Sequence, residues 1–307
     1  MNPILALIIA NIIWGAASPI FKLALTNIPP FTLAFIRFFF AGIIFIPLVL
    51  NNLQKITWNQ FFRIILVGFF GVTINITFFF LGLPKTTSIN APVIASSGPV
   101  FIYLFSVLFL RERPKLKIFS GMLVALLGVL VIIFAPVFSD GKQFNFGEIE
   151  GNLFFLIATL GAVFQTIIGK KVLKEVNSYM VTFISFIFGS LTFLPFAINE
   201  RWSFGLLNIN GWIGIIFGVV FSSALAYFLF YYGIRKIQAQ EAGIFTYIDP
   251  VVAVLIAIPL LGEYPHFYFF VGSILVFGGI FLAEGRIHYH PIRKLIRPIR
   301  QINKSDQ

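Results

Sequence analysis

The residues best placed to do chemistry in this 307-residue chain are single charged side chains inside long apolar segments. Asp249 lies deepest, ~15 Å from either surface if its segment crosses a ~30 Å hydrocarbon core. An ionised carboxyl at that depth costs several kcal/mol unless it is paired or hydrated, so binding and releasing a proton is its expected chemistry. The alternative is a structural carboxyl that bonds to backbone groups freed beside Pro250.

Arg37 is the second charge of this kind. It lies about six residues into another apolar segment, ~10 Å below the surface at ~1.5 Å per residue. A guanidinium at this depth either extends back to the interface or binds an anion at the mouth of a cavity. The sequence leaves both roles open, and Arg37 and Asp249 are the candidates for coupling or gating.

Polar and aromatic side chains recur at spacings of three or four in the first apolar segment, as Asn11, Trp14, Ser18 and Lys22. This spacing puts them on one face of a helix. The polar face of a membrane helix contacts protein or a water-filled cavity instead of lipid. We therefore expect Asn11 and Trp14 to line a cavity, while Ser18 suits close helix packing as well as the cavity.

Two prolines, Pro99 and Pro250, are each followed after thirteen residues by a glutamate, which places both prolines near the membrane centre. A proline inside a helix frees a backbone carbonyl one turn earlier and kinks the helix. Helices broken at the midplane line the substrate sites of transporters. The other polar residues predicted to line the same cavity are Asn75, Ser96, Tyr227, Tyr231, Thr246 and Tyr247.

The two glutamates, Glu112 and Glu263, each lie at the end of a predicted helix. A negative charge there opposes the helix macrodipole, so a backbone amide or a basic side chain must favour it. We interpret both as structural or gating residues of a repeated motif.

The elements that position these residues occur twice. Residues 82–114 match residues 233–265 at a constant offset of 151, and the first two helices of each half match at an offset of 148, the change falling in the loop after the second helix. The matched pairs include Gly82 and Gly233, Pro99 and Pro250, Glu112 and Glu263, and Lys22 and Lys170. So many matches at one offset indicate an internal duplication.

The composition indicates a membrane protein. Hydrophobic residues make up 59% of the chain and charged residues only 11%, with a mean hydropathy of +0.96. Apolar runs of about 18 to 23 residues predict ten spans, near 4–25, 31–50, 61–82, 86–110, 115–135, 149–169, 178–198, 211–233, 239–261 and 267–286. Five helices per repeat put the second copy upside down. The predicted fold is an all-α integral membrane protein of ten transmembrane helices in two inverted five-helix repeats.

Lys and Arg collect on the cytoplasmic side of membrane proteins. With both termini in the cytoplasm, 17 of the 22 Lys and Arg residues fall inside and 5 outside. We therefore predict cytoplasmic termini, a first repeat over 4–135, a second over 149–286, and a basic cytoplasmic tail over 287–307.

Several of these motifs resemble one family. The motifs are Trp14-Gly15 followed by Lys22, Arg37, Pro99 with Glu112, and Pro250-Val251-Val252-Ala253 with Leu261-Gly262-Glu263. Together they resemble the EamA-type drug/metabolite transporter superfamily. The resemblance implies a plasma-membrane carrier, commonly an exporter of amino acids or other metabolites, with a central cavity between two bundles. The second repeat departs from the pattern, since Ala162-Val163 stands where the first has Trp14-Gly15.

The sequence lacks the residue patterns that several other classes of function require. The chain has no cysteine, which removes thiolate metal sites and cysteine nucleophiles, and it has no nucleotide-binding motif of the Walker type. The net charge of +11 comes from short loops and a tail, so nucleic acid is not a predicted partner. We predict a secondary transporter in the lipid bilayer, with a small-molecule substrate, protons as coupling ion, and neither cofactor nor metal. The alternative, a lipid-modifying enzyme or scaffold, would need an acid and base pair or a metal cluster at one interface.

Overall fold

The computed structural model describes residues 2–110, 116–138, 146–236 and 244–284. Within these ranges the chain is helical and contains no β-strand, which confirms the predicted all-α class. Glu112 and the basic tail over 287–307 lie outside the described residues.

Eleven helices make up the described part of the chain. They are α1 (Pro3–Ala24), α2 (Pro30–Leu50), α3 (Trp58–Gly82), α4 (Asn90–Ala95), α5 (Gly98–Leu110), α6 (Leu116–Phe138), α7 (Phe146–Val172), α8 (Ser178–Asn199), α9 (Ile209–Lys236), α10 (Ile248–Leu261) and α11 (Phe267–Glu284). Six of them, α1, α2, α3, α7, α8 and α9, are long and apolar enough to cross a bilayer, and shorter apolar helices accompany them. The protein is therefore a multi-pass membrane protein.

Two of the long helices contain a wider turn. A π-helical segment covers Phe69–Ile74 in α3, and another covers Phe217–Leu225 in α9. The two segments overlap when the first is shifted by the duplication offset of 151. Segments of this kind displace backbone carbonyls from the regular hydrogen-bond ladder and occur frequently at functional sites.

The helices that carry the paired prolines are shorter than the sequence predicted. In place of one helix over 86–110, α4 ends at Ala95 and α5 begins at Gly98. The cause is local: Pro99 has no N–H to donate, and the Ser96 and Ser97 hydroxyls bond back to carbonyls of α4. Pro250 is the third residue of α10 and follows a 3₁₀ turn over Ile244–Tyr247, so the break precedes both prolines.

The end of α10 depends on one glycine. Gly262 adopts φ 66°, in the left-handed region, and its N–H bonds to the carbonyl of Ile258 at 3.1 Å. A residue with a side chain is strained in this conformation, whereas glycine adopts it freely. This turn ends α10 at Leu261, so Glu263 lies outside the helix.

Helix packing follows the duplication. α6 packs along α11, and α2 packs along α8. α1 packs against α9 and α10, and in the matching arrangement α7 packs against α3, α4 and α5. These central helices surround the cavity described below.

The start of α2 is capped by a residue that follows α8, and the start of α8 is capped by a residue that follows α2. Glu200 accepts from the backbone N–H of Phe31 at 3.0 Å and of Thr32 at 2.7 Å, at the start of α2. At the opposite end, the side chain of Gln54 accepts from the N–H of Asn177, the N-cap of α8. A carboxylate at a helix N-terminus satisfies unpaired amides and favours the macrodipole.

Candidate functional site

A cavity of about 210 Å³ lies among α1, α2, α3, α4, α5, α7, α9 and the start of α10. Drug-sized ligands occupy pockets of about 300–1,000 Å³, so this cavity suits a smaller molecule. Its polar lining consists of Trp14, Ser18, Arg37, Asn75, Thr159, Gln165, Thr166, Ser222, Tyr227, Thr246 and Asp249. Aromatic and aliphatic side chains form the rest of the wall.

The sequence-predicted residues fall into two groups. Those that line the cavity are Trp14, Ser18, Arg37, Asn75, Pro99, Tyr227, Thr246 and Asp249. Those that lie outside its lining are Asn11, Ser96, Tyr231, Tyr247, Pro250 and Glu263. Substrate contact by the first group stays a prediction.

The second group has other neighbours. Asn11 donates to the carbonyl of Leu7 at 2.7 Å, and the ring of Tyr247 packs edge-on against Phe277. Tyr231 is fully buried and accepts a 2.7 Å hydrogen bond from Gln165, a residue that does line the cavity. Tyr231 therefore supports the wall from behind.

Arg37 is buried, with 2% of its surface exposed, so its side chain does not extend to the interface. Its Nε donates to Ser223 Oγ at 2.6 Å and its Nη2 to Ser222 Oγ at 2.9 Å. The guanidinium carbon also lies 4.6 Å from the ring centre of Phe21 and 4.7 Å from that of Phe38. Within the described ranges it forms no ion pair with a carboxylate. Hydroxyls and ring faces thus stabilise the charge while leaving it without a counterion.

The two π-helical segments supply acceptors to side chains of the other half of the chain. The carbonyl of Ser222 accepts from Trp14 Nε1 at 3.1 Å and from Arg37 Nη2 at 3.4 Å. The carbonyl of Gly71 accepts from the Tyr227 hydroxyl at 3.3 Å. Gly71 and Ser222 occupy matched positions of the duplicated sequence. In each half, a carbonyl of the π-helical segment thus accepts a hydrogen bond from a side chain of the other half.

Asp249 is the carboxylate of the cavity lining, and it is 8% exposed. It lies in the first turn of α10, where the macrodipole favours a negative charge. Its Oδ1 has no hydrogen-bond partner among the described residues. A buried oxygen without a partner costs free energy, which a bound proton or a cationic group recovers.

Gly15 brings α1 against the backbone of Asp249. A Cβ at Gly15 would lie 2.8 Å from the carbonyl oxygen of Asp249 and 2.8 Å from Cβ of Val252. Only a glycine therefore permits the present distance between the two helices. The Trp14-Gly15 dipeptide combines a ring in the cavity wall with the contact that positions Asp249.

Sequence reasoning missed Gln165, Thr159 and Ser222. Thr159 and Thr166 lie seven residues apart on α7, which is one helical face, and they match Asn11 and Ser18 at the offset of 148. That match could have identified the α7 face of the cavity. Ser222 carries no such signal, since its role depends on the π-helical segment.

A second polar cluster lies at the end of the bundle where α1 and α10 both end, which we call the Lys22 end. Lys22 Nζ lies 2.6 Å from Glu263 Oε1 and donates to the carbonyl of Thr86 at 2.6 Å. Glu263 Oε2 accepts from the N–H and the hydroxyl of Ser88 at 2.8 and 2.6 Å. Glu263 is thus held by both an amide and a lysine.

In the described ranges, no group of three His, Cys, Asp or Glu residues lies close enough together to hold an ion.

Comparison with known proteins identifies a family and a fold. The EamA-like transporter family matches residues 1–134 and 149–284. A protein of Bacillus subtilis (strain 168) named uncharacterized transporter YetK is 30% identical over 290 residues, 92% of this chain and 87% of the relative. An uncharacterized transporter of Archaeoglobus fulgidus is 30% identical over 271 residues, 88% of this chain and 94% of the relative. One solved crystal structure has the same fold, with 20% identity, a TM-score of 0.65, and coverage of 92% of this chain and 96% of that one.

Proposed function

Because the chain belongs to the EamA-like transporter family, we propose that it is a secondary active carrier that exports a small amphoteric metabolite, such as an amino acid. The observation that carries this proposal is the charge pattern of the cavity. Arg37 and Asp249 both line it, both are buried, and in the described part of the chain neither forms an ion pair. A substrate with one carboxylate and one ammonium supplies a partner to each.

Cavity size and wall composition support the same substrate class. About 210 Å³ accommodates a molecule with few heavy atoms beyond its two charged groups. Trp14 packs edge-on against Tyr227 at 5.2 Å and lies 5.0 Å from Phe230 between ring centres, so three rings form one continuous wall. This wall contacts the apolar part of the substrate while Arg37 and Asp249 orient its charges.

The proposed topology is ten spans in two inverted repeats, over 4–135 and 149–286. Three observations support it: the matched packing of the two halves, the π-helical segments at matched positions, and the 17-to-5 distribution of Lys and Arg. The positive-inside rule then puts both termini in the cytoplasm and the Lys22 end outside a plasma membrane. The carrier works by alternating access, as the two repeats rock about the cavity between them.

Protons drive export through competition for Asp249. One carboxylate cannot hold a substrate ammonium and a proton at once, since the proton removes the charge that the ammonium binds. Substrate leaves Asp249 on the outside and a proton replaces it; the protonated carrier returns and releases the proton into the cytoplasm, where the next substrate ammonium binds the carboxylate. The proton gradient of a plasma membrane thereby supplies the free energy for export.

The test is transport in proteoliposomes with a panel of labelled compounds. Zwitterionic α-amino acids should exchange across the membrane, whereas the matching amines without a carboxylate and acids without an amine should exchange at least tenfold more slowly, the ratio that ~1.4 kcal/mol produces. Equal exchange of the singly charged compounds would refute the amphoteric class. Absence of exchange for every compound would refute the carrier assignment.

A further inference from the structure

We propose that Lys22, Glu263 and Ser88 form a latch that closes the outer mouth of the cavity and must break each time the cavity opens outward. This inference rests on the proposed alternating-access function and goes beyond it by naming the contact that one access state requires. The three residues come from the end of α1, the residue after Gly262, and the connection between α3 and α4.

Glu263 is the member that joins the two repeats. It is bonded to Lys22 and to Ser88, and both of these belong to the first repeat, 241 and 175 positions away in sequence. The remaining contact, Lys22 to the Thr86 carbonyl, lies within the first repeat. Withdrawal of Glu263 therefore removes two of the contacts between the repeats at this end while Lys22 keeps an acceptor; the pairs Lys85–Glu150 and Thr86–Asn152 are further contacts between the repeats there.

The latch is better shielded than the other described ion pairs. The side chains of Lys22 and Glu263 are 26% and 11% exposed, compared with 37% and 48% for Lys85 and Glu150 at the same end. Exposed ion pairs contribute little because water and salt screen them, whereas shielded and hydrogen-bonded pairs contribute more. The Lys22–Glu263 contact can therefore bias a conformational equilibrium that the Lys85–Glu150 pair leaves unchanged.

The latch covers the cavity. Phe21, which precedes Lys22, lines the cavity together with Phe79 and Phe155. Their ring centres lie 6.4 Å apart for Phe21 and Phe79, and 6.1 Å apart for Phe79 and Phe155. Lys22 lies one residue beyond Phe21 near the end of α1, and Ser88 lies in the connection that follows α3, the helix of Phe79. A path to the outside at this end must part both the aromatic rings and the latch.

The experiment uses a single-cysteine reporter, because the native chain has no cysteine. Ala95→Cys places a thiol in the half-buried cavity lining. A membrane-impermeant maleimide applied to the outer face then reports the outward-open population. Glu263→Gln and Lys22→Gln should each raise the labelling rate about tenfold, the ratio that ~1.4 kcal/mol of lost contact produces. The matched control, Glu150→Gln, removes an exposed carboxyl at the same end and should leave the rate unchanged.

Two further measurements keep the proposal falsifiable if one variant folds poorly. Ser88→Ala keeps the ion pair and loses one hydrogen bond, so it should raise the rate by a smaller factor. The Lys22→Gln/Glu263→Gln double variant should label no faster than either single variant, because both break one network. Unchanged labelling in all of them, with the reporter still reached from both faces, overturns the latch and leaves the carrier intact. A reporter reached from one face alone in every variant overturns both.

Discussion

Replacing Gly15 with alanine tests whether the approach of α1 to α10 sets the cavity geometry. A Cβ at this position would lie 2.8 Å from the Asp249 carbonyl oxygen and 2.9 Å from its Cα. Both atoms belong to the backbone, so the two helices must move apart. Forcing extra volume into a packed site costs ~1–3 kcal/mol.

Gly169 provides a matched control in another helix interior. A Cβ there would lie 3.9 Å from Tyr231 and 3.9 Å from Val67, which is ordinary contact. Alanine stabilises a helix interior by ~1 kcal/mol relative to glycine, and both variants gain this amount. Gly169→Ala should therefore be more stable than the native protein, and more stable than Gly15→Ala by ~1–3 kcal/mol.

The assay is unfolding of the purified variants in mixed detergent micelles, followed by tryptophan fluorescence and helical circular dichroism. Gly15→Ala should also slow transport, since its packing partner is the backbone of Asp249. The reasoning is refuted if Gly15→Ala is as stable as Gly169→Ala, because the two helices would then have room that the structure does not give them.

Three further predictions concern other contacts. Arg37→Lys keeps the charge but loses the contacts to Ser222 and Ser223 that orient it. KM for a zwitterionic substrate should rise ~10- to 100-fold, the effect of losing one hydrogen bond between the charged group and the substrate carboxylate. An unchanged KM in exchange assays would contradict this. Glu200→Gln weakens the cap on α2 and should lower the free energy of unfolding in mixed micelles by ~1 kcal/mol; full stability would show that the cap is dispensable. Pro265→Cys, as the single cysteine, should react with an impermeant maleimide from outside the cell, and reaction from inside alone would reverse the proposed topology.

Much of this architecture could be predicted from the sequence because the bilayer constrains it strongly. Apolar length identified the long helices, and the missing N–H of Pro99 explains why the chain breaks where a central kink was expected. The burial of Arg37 and Asp249 in a shielded environment could be expected for the same reason, since a charge inside an apolar run needs such an environment.

The partners of these residues were not predictable. Arg37 is held by Ser222 and Ser223, 185 and 186 positions away, and their presentation depends on a π-helical segment that no residue pattern signals. Tyr231 has the polarity of a cavity residue, but Gln165 lies between it and the cavity. Packing between helices that are distant in sequence decides whether a polar side chain lines the cavity or lies behind its lining, and sequence spacing alone does not determine this.

The most direct test of the account is substrate accumulation driven by an imposed pH gradient in proteoliposomes, with Asp249→Asn beside the native protein and Glu150→Gln as the control. Because substrate and proton compete for Asp249, the native protein and Glu150→Gln should concentrate a zwitterionic substrate in the acidic compartment. Asp249→Asn keeps the size of the side chain but cannot exchange a proton, so it should only equilibrate substrate or fail to move it. Accumulation by Asp249→Asn to the native level would contradict the proposal that this carboxylate couples transport to protons.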